Sequence, residues 1–221
     1  MTKFNAGRRV LALAGAVAAL SVGASANAAV TFSTGPLLAS PTLFNGFEGL
    51  NADGGGFFGP YSEGGITAQY SDPGHDVWSA SQAYEGVRSW YPDGGDAGAY
   101  TIITRTGGGE MSAMTLAIGS GFFGCCGTFF YTVLDKGVIV GSGSGPTIPT
   151  YQAGWVTGGF SGGNFDEVDL SVSIGGEDAG AYDAIGVNTA GVPEPATWAM
   201  SIVGFGLLGS AIRRRKASLA V

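Results

Sequence analysis

Glycine clusters divide the middle of this chain into short segments, and this division limits the possible folds more than any other feature. Forty-one of the 221 residues are glycine, with clusters at 54–56, 107–109, 141–145 and 162–163. The segments between these clusters are rich in Thr, Val, Ile, Phe and Tyr, which favour strands. Short strand-forming segments separated by turn residues are typical of a β-sandwich or β-barrel. We therefore expect an all-β domain.

Two of these segments show the alternation of a half-buried strand. Apolar residues alternate with small or polar ones over 113–118 and over 168–174. The segment 129–140 predicts a hairpin, with Gly137 at the left-handed position of a three-residue loop, 135–137. Because both faces of 129–134 carry bulky side chains, we expect that strand to lie in the interior of its sheet.

The first 28 residues have the three parts of a secretory signal peptide. Basic residues within the first nine positions precede an apolar run at 10–22, and Ala26 and Ala28 form a small-residue cleavage site. We expect a helical signal peptide at 1–28, handled by the secretion translocon and signal peptidase. The alternative is a buried N-terminal helix. Removing the signal leaves 29–190 as the main domain.

The segment 191–221 joins a rigid tripeptide, an apolar stretch and a basic cluster. The tripeptide, Pro193-Glu194-Pro195, keeps an extended and accessible backbone. The apolar stretch 198–212 predicts a short transmembrane helix, and the cations at 213–216 favour the cytoplasmic side. The residues that would anchor it are Trp198, Phe205, Ile212, Arg213, Arg214 and Arg215. The alternative is a hydrophobic tail packed into the domain.

This order of tripeptide, helix and basic cluster resembles the PEP-CTERM sorting signal of Gram-negative bacteria. The resemblance implies export, transient anchoring in the inner membrane and processing by an exosortase. It also implies delivery to the cell surface or to an extracellular matrix. It covers only 191–221 and implies nothing about what the preceding domain does.

The domain between the two signals is strongly acidic. Its three basic residues, Arg88, Arg105 and Lys136, are outnumbered by sixteen Asp and Glu residues, which gives a formal charge of −13. Such a charge repels nucleic acids and anionic lipid surfaces. We therefore exclude nucleic acid as a partner, whereas Ca²⁺ and neutral sugars are compatible with this charge.

Two segments near the ends of the domain, 44–50 and 181–187, resemble the first and last strands of carbohydrate-binding-module jelly rolls. In that architecture the terminal strands pair, and an acid from each can share a structural Ca²⁺. The resemblance implies a jelly-roll-like β-sandwich with Glu48 and Asp183 as ligands of a possible calcium ion. The alternative is that these are two acids at strand ends that hold no ion. No other cofactor is expected.

Aromatic residues near glycine-rich loops are candidates for sugar binding, because flat rings suit the apolar faces of pyranoses. Trp90 and Tyr91 precede Pro92-Asp93-Gly94 and form the most loop-like pair. We therefore predict a glycan contact at Trp90 and Tyr91. The alternative is that these rings belong to the core, where most aromatic residues of a sandwich lie.

Cys125 and Cys126 are the only cysteines of the chain, and they are adjacent. Disulfides persist outside the cytoplasm, but a bridge between neighbours is strained and closes a minimal loop. Two adjacent thiols supply too few ligands for a metal site. We favour a structural pair, oxidised or free, over a redox centre.

Motifs for catalysis are missing from the sequence. His75 is the single histidine, and there is neither a Gly-x-Ser-x-Gly elbow nor a phosphate-binding loop. We expect a non-enzymatic surface or matrix protein associated with exopolysaccharide or biofilm. One alternative is a secreted glycan hydrolase that uses two of the many acids. Another is a purely structural matrix protein with no specific ligand.

Overall fold

Strands make up most of the folded domain. The computed structural model describes residues 29–50, 56–79, 82–92, 98–121, 123, 126–191, 202 and 205. In chain order, the strands of this part are β1 (Thr31–Thr34), β2 (Leu43–Asn45), β3 (Tyr61–Glu63), β4 (Ile66–Tyr70), β5 (Val77–Ser79), β6 (Trp90–Pro92), β7 (Thr101–Arg105), β8 (Met111–Ser120), β9 (Gly127–Asp135), β10 (Val138–Ile148), β11 (Val156–Ser161), β12 (Glu167–Ile174), β13 (Glu177–Asp178) and β14 (Gly180–Thr189).

These strands form two antiparallel sheets. Sheet A has the order β1-β11-β8-β14-β6-β5, and β2 also pairs with β14. Sheet B has the order β10-β9-β12-β7-β4-β3, and β13 also pairs with β12. The prediction of an all-β sandwich is confirmed.

The core lies between the two sheets and is built from the alternating faces of the long strands. On β12, Val168, Leu170 and Val172 are fully buried, while the residues between them face the other way. On β8, Met114 and Leu116 are buried in the same pattern. Full burial of one such side chain stabilises the fold by about 1.5–3 kcal/mol. Both strands predicted from alternation are therefore confirmed.

The predicted hairpin is formed by β9 and β10, with a tighter turn than expected. Asp135 pairs with Val138, so only Lys136 and Gly137 form the turn, with φ of 51° and 77°. Two successive positive φ values match a type I′ turn, and the predicted three-residue loop is wrong because Asp135 belongs to the strand. Strand β9 lies inside sheet B, between β10 and β12, as predicted. One of its faces, however, is open to solvent.

The two segments that resemble jelly-roll terminal strands do pair with each other. Asn45 of β2 lies opposite Ile185 of β14. Strand β1 precedes β2 and pairs with β11, so β2 is the second strand rather than the first. Strand β14 contains a bulge between Asp183 and Gly186, where Ala184 has φ of 48°. A bulge bends the strand and redirects its side chains, here at Asp183.

The two predicted sorting segments lie largely outside the described residues. This holds for the signal peptide at 1–28, for the tripeptide 193–195 and for most of the predicted anchor. Ile202 and Phe205 are described; both are helical and about 70% exposed. In the described part of the chain, no helix has the length and apolar character needed to cross a membrane.

Candidate functional site

A groove of about 500 Å³ lies on the outer face of sheet B. Successive residues of a strand face opposite sides of the sheet, so the residues that alternate with the core line this groove. They come from β10, β9 and β12 and from the residues just before β7. The lining includes the side chains of Tyr100, Phe130, Thr132, Ser142, Asp169 and Ser171.

The strand register arranges this lining in two rows across the sheet. In the first row, Thr132 of β9 lies opposite both Ser142 of β10 and Asp169 of β12. In the second row, Phe130 lies opposite both Ser144 and Ser171. Residues directly opposite have Cβ atoms about 4.5–5.5 Å apart, and diagonal neighbours about 7–8 Å. The groove therefore presents an aromatic ring beside a carboxylate and several hydroxyls.

Two aromatic side chains give the groove partly exposed rings. Phe130 is 43% exposed and Tyr100 is 37% exposed. A smaller pocket of about 170 Å³ shares Phe130 and Ser171 with the groove and continues it towards Glu177. The combined surface is elongated and open, which suits an extended ligand better than a compact one.

Asp169 is the carboxylate of the groove, and its hydrogen-bonding capacity is not filled. Its Oδ1 atom is buried and accepts no hydrogen bond from the described residues. Burial and, after it, the negative charge of Glu167 together raise the pKa of Asp169 to about 6. At neutral pH, Asp169 is therefore mostly ionised and places a negative charge at the groove.

Trp90 and Tyr91 lie away from the groove, in positions that give them no sugar-binding face. Trp90 is fully buried, and its Nε1 donates a hydrogen bond of 3.0 Å to Thr101 Oγ1. Tyr91 is 9% exposed and packs with Trp78 and Trp155. The predicted glycan contact assumed a loop, whereas both residues belong to strand β6. The structure therefore places both rings in packed positions, and we correct this assignment.

Glu48 and Asp183 do come together, at the loop 82–89. Asp183 Oδ2 accepts hydrogen bonds from the backbone N–H groups of Tyr84 (2.7 Å) and Glu85 (3.0 Å). Glu48 Oε1 accepts hydrogen bonds from the N–H groups of Val87 (2.9 Å) and Arg88 (3.2 Å). Burial, opposed by the backbone hydrogen bonds and assisted by the negative charge of Glu48, raises the pKa of Asp183 to about 6.

These contacts bear on the predicted calcium ion. Ca²⁺ takes six to eight oxygen ligands, but four backbone N–H groups already donate to this carboxylate pair, and their positive ends repel a cation. Asp183 Oδ1 also accepts a hydrogen bond, from the N–H of Ala184. In the described residues, no three His, Cys, Asp or Glu side chains form a group that fits a metal ion. The donor set as arranged therefore does not fit calcium.

Cys126 is disulfide-bonded. The only other cysteine of the chain is Cys125, which lies outside the described residues. Cys126 has φ of 62° and directly precedes strand β9. The bond thus lies next to the start of a core strand, in keeping with a structural pair.

Sequence reasoning missed the groove, although part of its signal was present. The alternation over 168–174 assigns Asp169 and Ser171 to the outer face of their strand. The register that brings Phe130 and Tyr100 beside them joins segments far apart in the chain, and no local pattern encodes it. The sequence therefore indicated that one face of this strand is polar, but not which side chains lie beside it.

The fold and the groove define a β-sandwich with an extended open groove on one sheet. Residues 191–216 match the family model described as the PEP-CTERM protein-sorting motif. This match confirms the predicted sorting segment, and it implies an exported protein that passes through the membrane, is processed by an exosortase and is sorted to the cell surface. No curated protein matches the chain.

Solved carbohydrate-binding domains show limited structural similarity to the chain. A CBM22-1 xylan-binding domain from Paenibacillus barcinonensis has a TM-score of 0.40 at 16% identity, with 71% of this chain and 100% of that domain covered. A CBM22-1–CBM22-2 tandem from the same organism gives 0.39 at 16%, with 74% and 50% covered. A mutant family 29 carbohydrate-binding module gives 0.30 at 15%, with 54% and 92% covered. The strand pairing of the chain itself defines the β-sandwich.

Proposed function

We propose that the folded domain binds a polysaccharide in the groove on sheet B. The protein then acts as a non-enzymatic component of the cell surface or extracellular matrix, associated with exopolysaccharide. The observation that carries this proposal is the groove itself, where Tyr100 and Phe130 are partly exposed and share the lining with Asp169.

The chemistry of the groove matches that of a sugar chain. The C–H faces of pyranose rings are apolar and pack on aromatic rings, as in other small-molecule sites. Sugar hydroxyls donate hydrogen bonds, and the carboxylate of Asp169, which lines the groove, is an acceptor. Ser142, Ser144 and Ser171 add hydroxyls that either donate or accept.

The sorting motif supports the proposed location. A chain that is exported and processed by an exosortase reaches the space where extracellular polysaccharides accumulate. The acidic charge of the domain keeps it soluble there. We propose exopolysaccharide as the partner of the folded domain and the exosortase as the partner of the sorting segment.

Binding to a broad panel of polysaccharides tests the proposal. The panel includes the polysaccharide of the producing cells, and binding is measured by co-sedimentation and on a glycan array. We expect at least one glycan to be retained by the wild type and lost in Phe130→Ala. Phe58→Ala is the matched control, because Phe58 is 61% exposed and lies outside the groove. A protein that retains no glycan and instead self-associates is a structural matrix protein, which contradicts the proposal.

One observation favours a second function, glycan hydrolysis. Asp169 has a pKa raised to about 6, and Glu167 lies two residues away on the same face of β12. A carboxyl of raised pKa beside a second carboxylate is the pair that glycosidases use. Release of reducing ends from a bound polysaccharide, abolished in Asp169→Asn, would establish this activity. Binding without such release leaves the non-enzymatic proposal in place.

A further inference from the structure

We infer that the groove selects uncharged polysaccharides and discriminates against chains that carry carboxylate groups. This inference rests on the proposed glycan binding and adds the chemical class of the ligand. It follows from the charged and neutral groups that line the described walls of the groove.

The carboxylate of Asp169 favours a ligand that donates hydrogen bonds. Asp169 lines the groove between Thr132 and Ser171. An ionised carboxylate is an acceptor only, so it requires a donor such as a sugar hydroxyl. A sugar carboxylate placed here would set acceptor against acceptor and charge against like charge.

The strands around Asp169 supply further negative charge and hydroxyls. Glu167 lies on the same face of β12, since side chains two residues apart share a face. Glu177 lines the smaller pocket that continues the groove. The lining from β9, β10 and the start of β7 consists of neutral groups, such as Thr132, the serines and Tyr100.

The basic residues of the domain lie elsewhere and cannot neutralise an anionic ligand in the groove. Arg105 Nη1 donates to the backbone oxygen of Glu110, and Lys136 Nζ pairs with the carboxylates of Glu110 and Asp135. Arg88 belongs to the loop 82–89 held by Glu48. None of these three lines the described walls of the groove or of the pocket that continues it. A carboxylate on the ligand would therefore meet the negative charge of Asp169 without a cation from the described lining to offset it.

Matched pairs of glycans test this selectivity. Each pair contains a neutral oligosaccharide and its counterpart oxidised to the carboxylate at C6, so that the linkage and the ring are unchanged. The full chain is purified in a detergent without a sugar headgroup, and affinities are measured by calorimetric titration at low salt. We expect the neutral member of a binding pair to be preferred at least 10-fold, and this ratio to fall as salt is added.

Variants test whether Asp169 determines the ratio of the affinities for the neutral and the oxidised glycan. Asp169→Asn removes the charge with little change in shape and replaces one acceptor by an N–H donor, so it should bring the ratio below about 3-fold at low salt. Glu85→Gln, an exposed acid outside the groove, removes the same charge from the domain and should leave the ratio unchanged. Lowering the pH from 7.5 to 5 should also reduce the ratio in the wild type, because Asp169 then takes up a proton.

The outcomes separate the two proposals. Binding of neutral members with weak binding of oxidised ones supports both. Equal or tighter binding of the oxidised members overturns the selectivity and leaves glycan binding intact. A ratio that is the same in Asp169→Asn and in the wild type also overturns the role assigned to this groove. Failure of every pair to bind overturns glycan binding itself, and the selectivity with it.

Discussion

Glu48 and Asp183 hold opposite ends of one loop. Asp183 accepts hydrogen bonds from the N–H groups of Tyr84 and Glu85, and Glu48 accepts hydrogen bonds from those of Val87 and Arg88. The two carboxylates thus fix the loop 82–89 to the segments that follow β2 and lie within β14. Four backbone N–H groups of the loop supply the hydrogen bonds that hold it.

The loop depends on the glycine between its two anchors. Gly86 has φ of 68°, and a Cβ atom there would lie 2.0 Å from Glu48 Oε1. Gly175 has φ of 66° with nothing within 4 Å of its Cβ position, so Gly175→Ala is the matched control. We expect the control to cost about 1–2 kcal/mol of unfolding free energy from the left-handed backbone alone. Gly86→Ala should cost clearly more in denaturant unfolding, and equal costs would contradict the anchoring by Glu48.

Calcium should have little effect on the stability of the domain. Because N–H donors already surround Glu48 and Asp183, we expect the same melting temperature with excess Ca²⁺ and with a chelator. Thermal unfolding at fixed pH measures this directly. A rise in melting temperature with Ca²⁺ that disappears in Asp183→Asn would restore the calcium ion predicted from the sequence.

The domain should become more stable as the pH falls from 8 to 5. Burial raises the pKa of Asp169 and Asp183 to about 6 and of Asp178 to about 7, above the usual 3.8. A raised pKa means that the folded state binds the proton more tightly than the unfolded state. The resulting stability is present below the unfolded pKa and is lost as the pH rises through the folded one. Calorimetry should therefore show a higher melting temperature at pH 5 than at pH 8.

Asp178→Asn tests the source of this pH dependence. Asp178 Oδ1 accepts hydrogen bonds from the N–H groups of Val172 and Gly180, which an amide oxygen can also accept. Its Oδ2 atom is buried and has no partner among the described residues. We expect the variant to flatten the profile and to melt higher at pH 8, whereas the exposed-acid variant Glu85→Gln keeps the wild-type slope. A melting temperature that falls between pH 8 and pH 5 in the wild type would contradict this explanation.

The sorting motif predicts where a defective chain stops. Replacement of Pro193-Glu194-Pro195 by alanines should prevent exosortase processing, so that the chain accumulates in the inner membrane. Fractionation and immunoblotting measure the distribution, with Thr197→Ala as a neighbouring control outside the tripeptide. Surface delivery at the wild-type level would show that processing does not require the tripeptide.

Local patterns in the sequence predicted the strands, and tertiary contacts decided the rest. Alternation located β8 and β12 because one face of each packs into the core. Trp90 was misassigned because the glycine-rich sequence after it suggested a loop, while pairing with β14 buries the ring. The groove could not be predicted because Phe130, Ser171 and Ser144 meet only through the register of β9 with β12 and β10. Hence the sequence predicted strands and export, but not the groove on sheet B.

The most direct test of glycan binding at sheet B is a calorimetric titration of three proteins with one glycan that the wild type retains. We predict that Phe130→Ala binds at least 10-fold more weakly than the wild type, a loss of about 1.4 kcal/mol, while melting at a similar temperature. Phe58→Ala should bind as the wild type does. Wild-type affinity in Phe130→Ala, or equal losses in both variants, would contradict the assignment of the groove as the binding site.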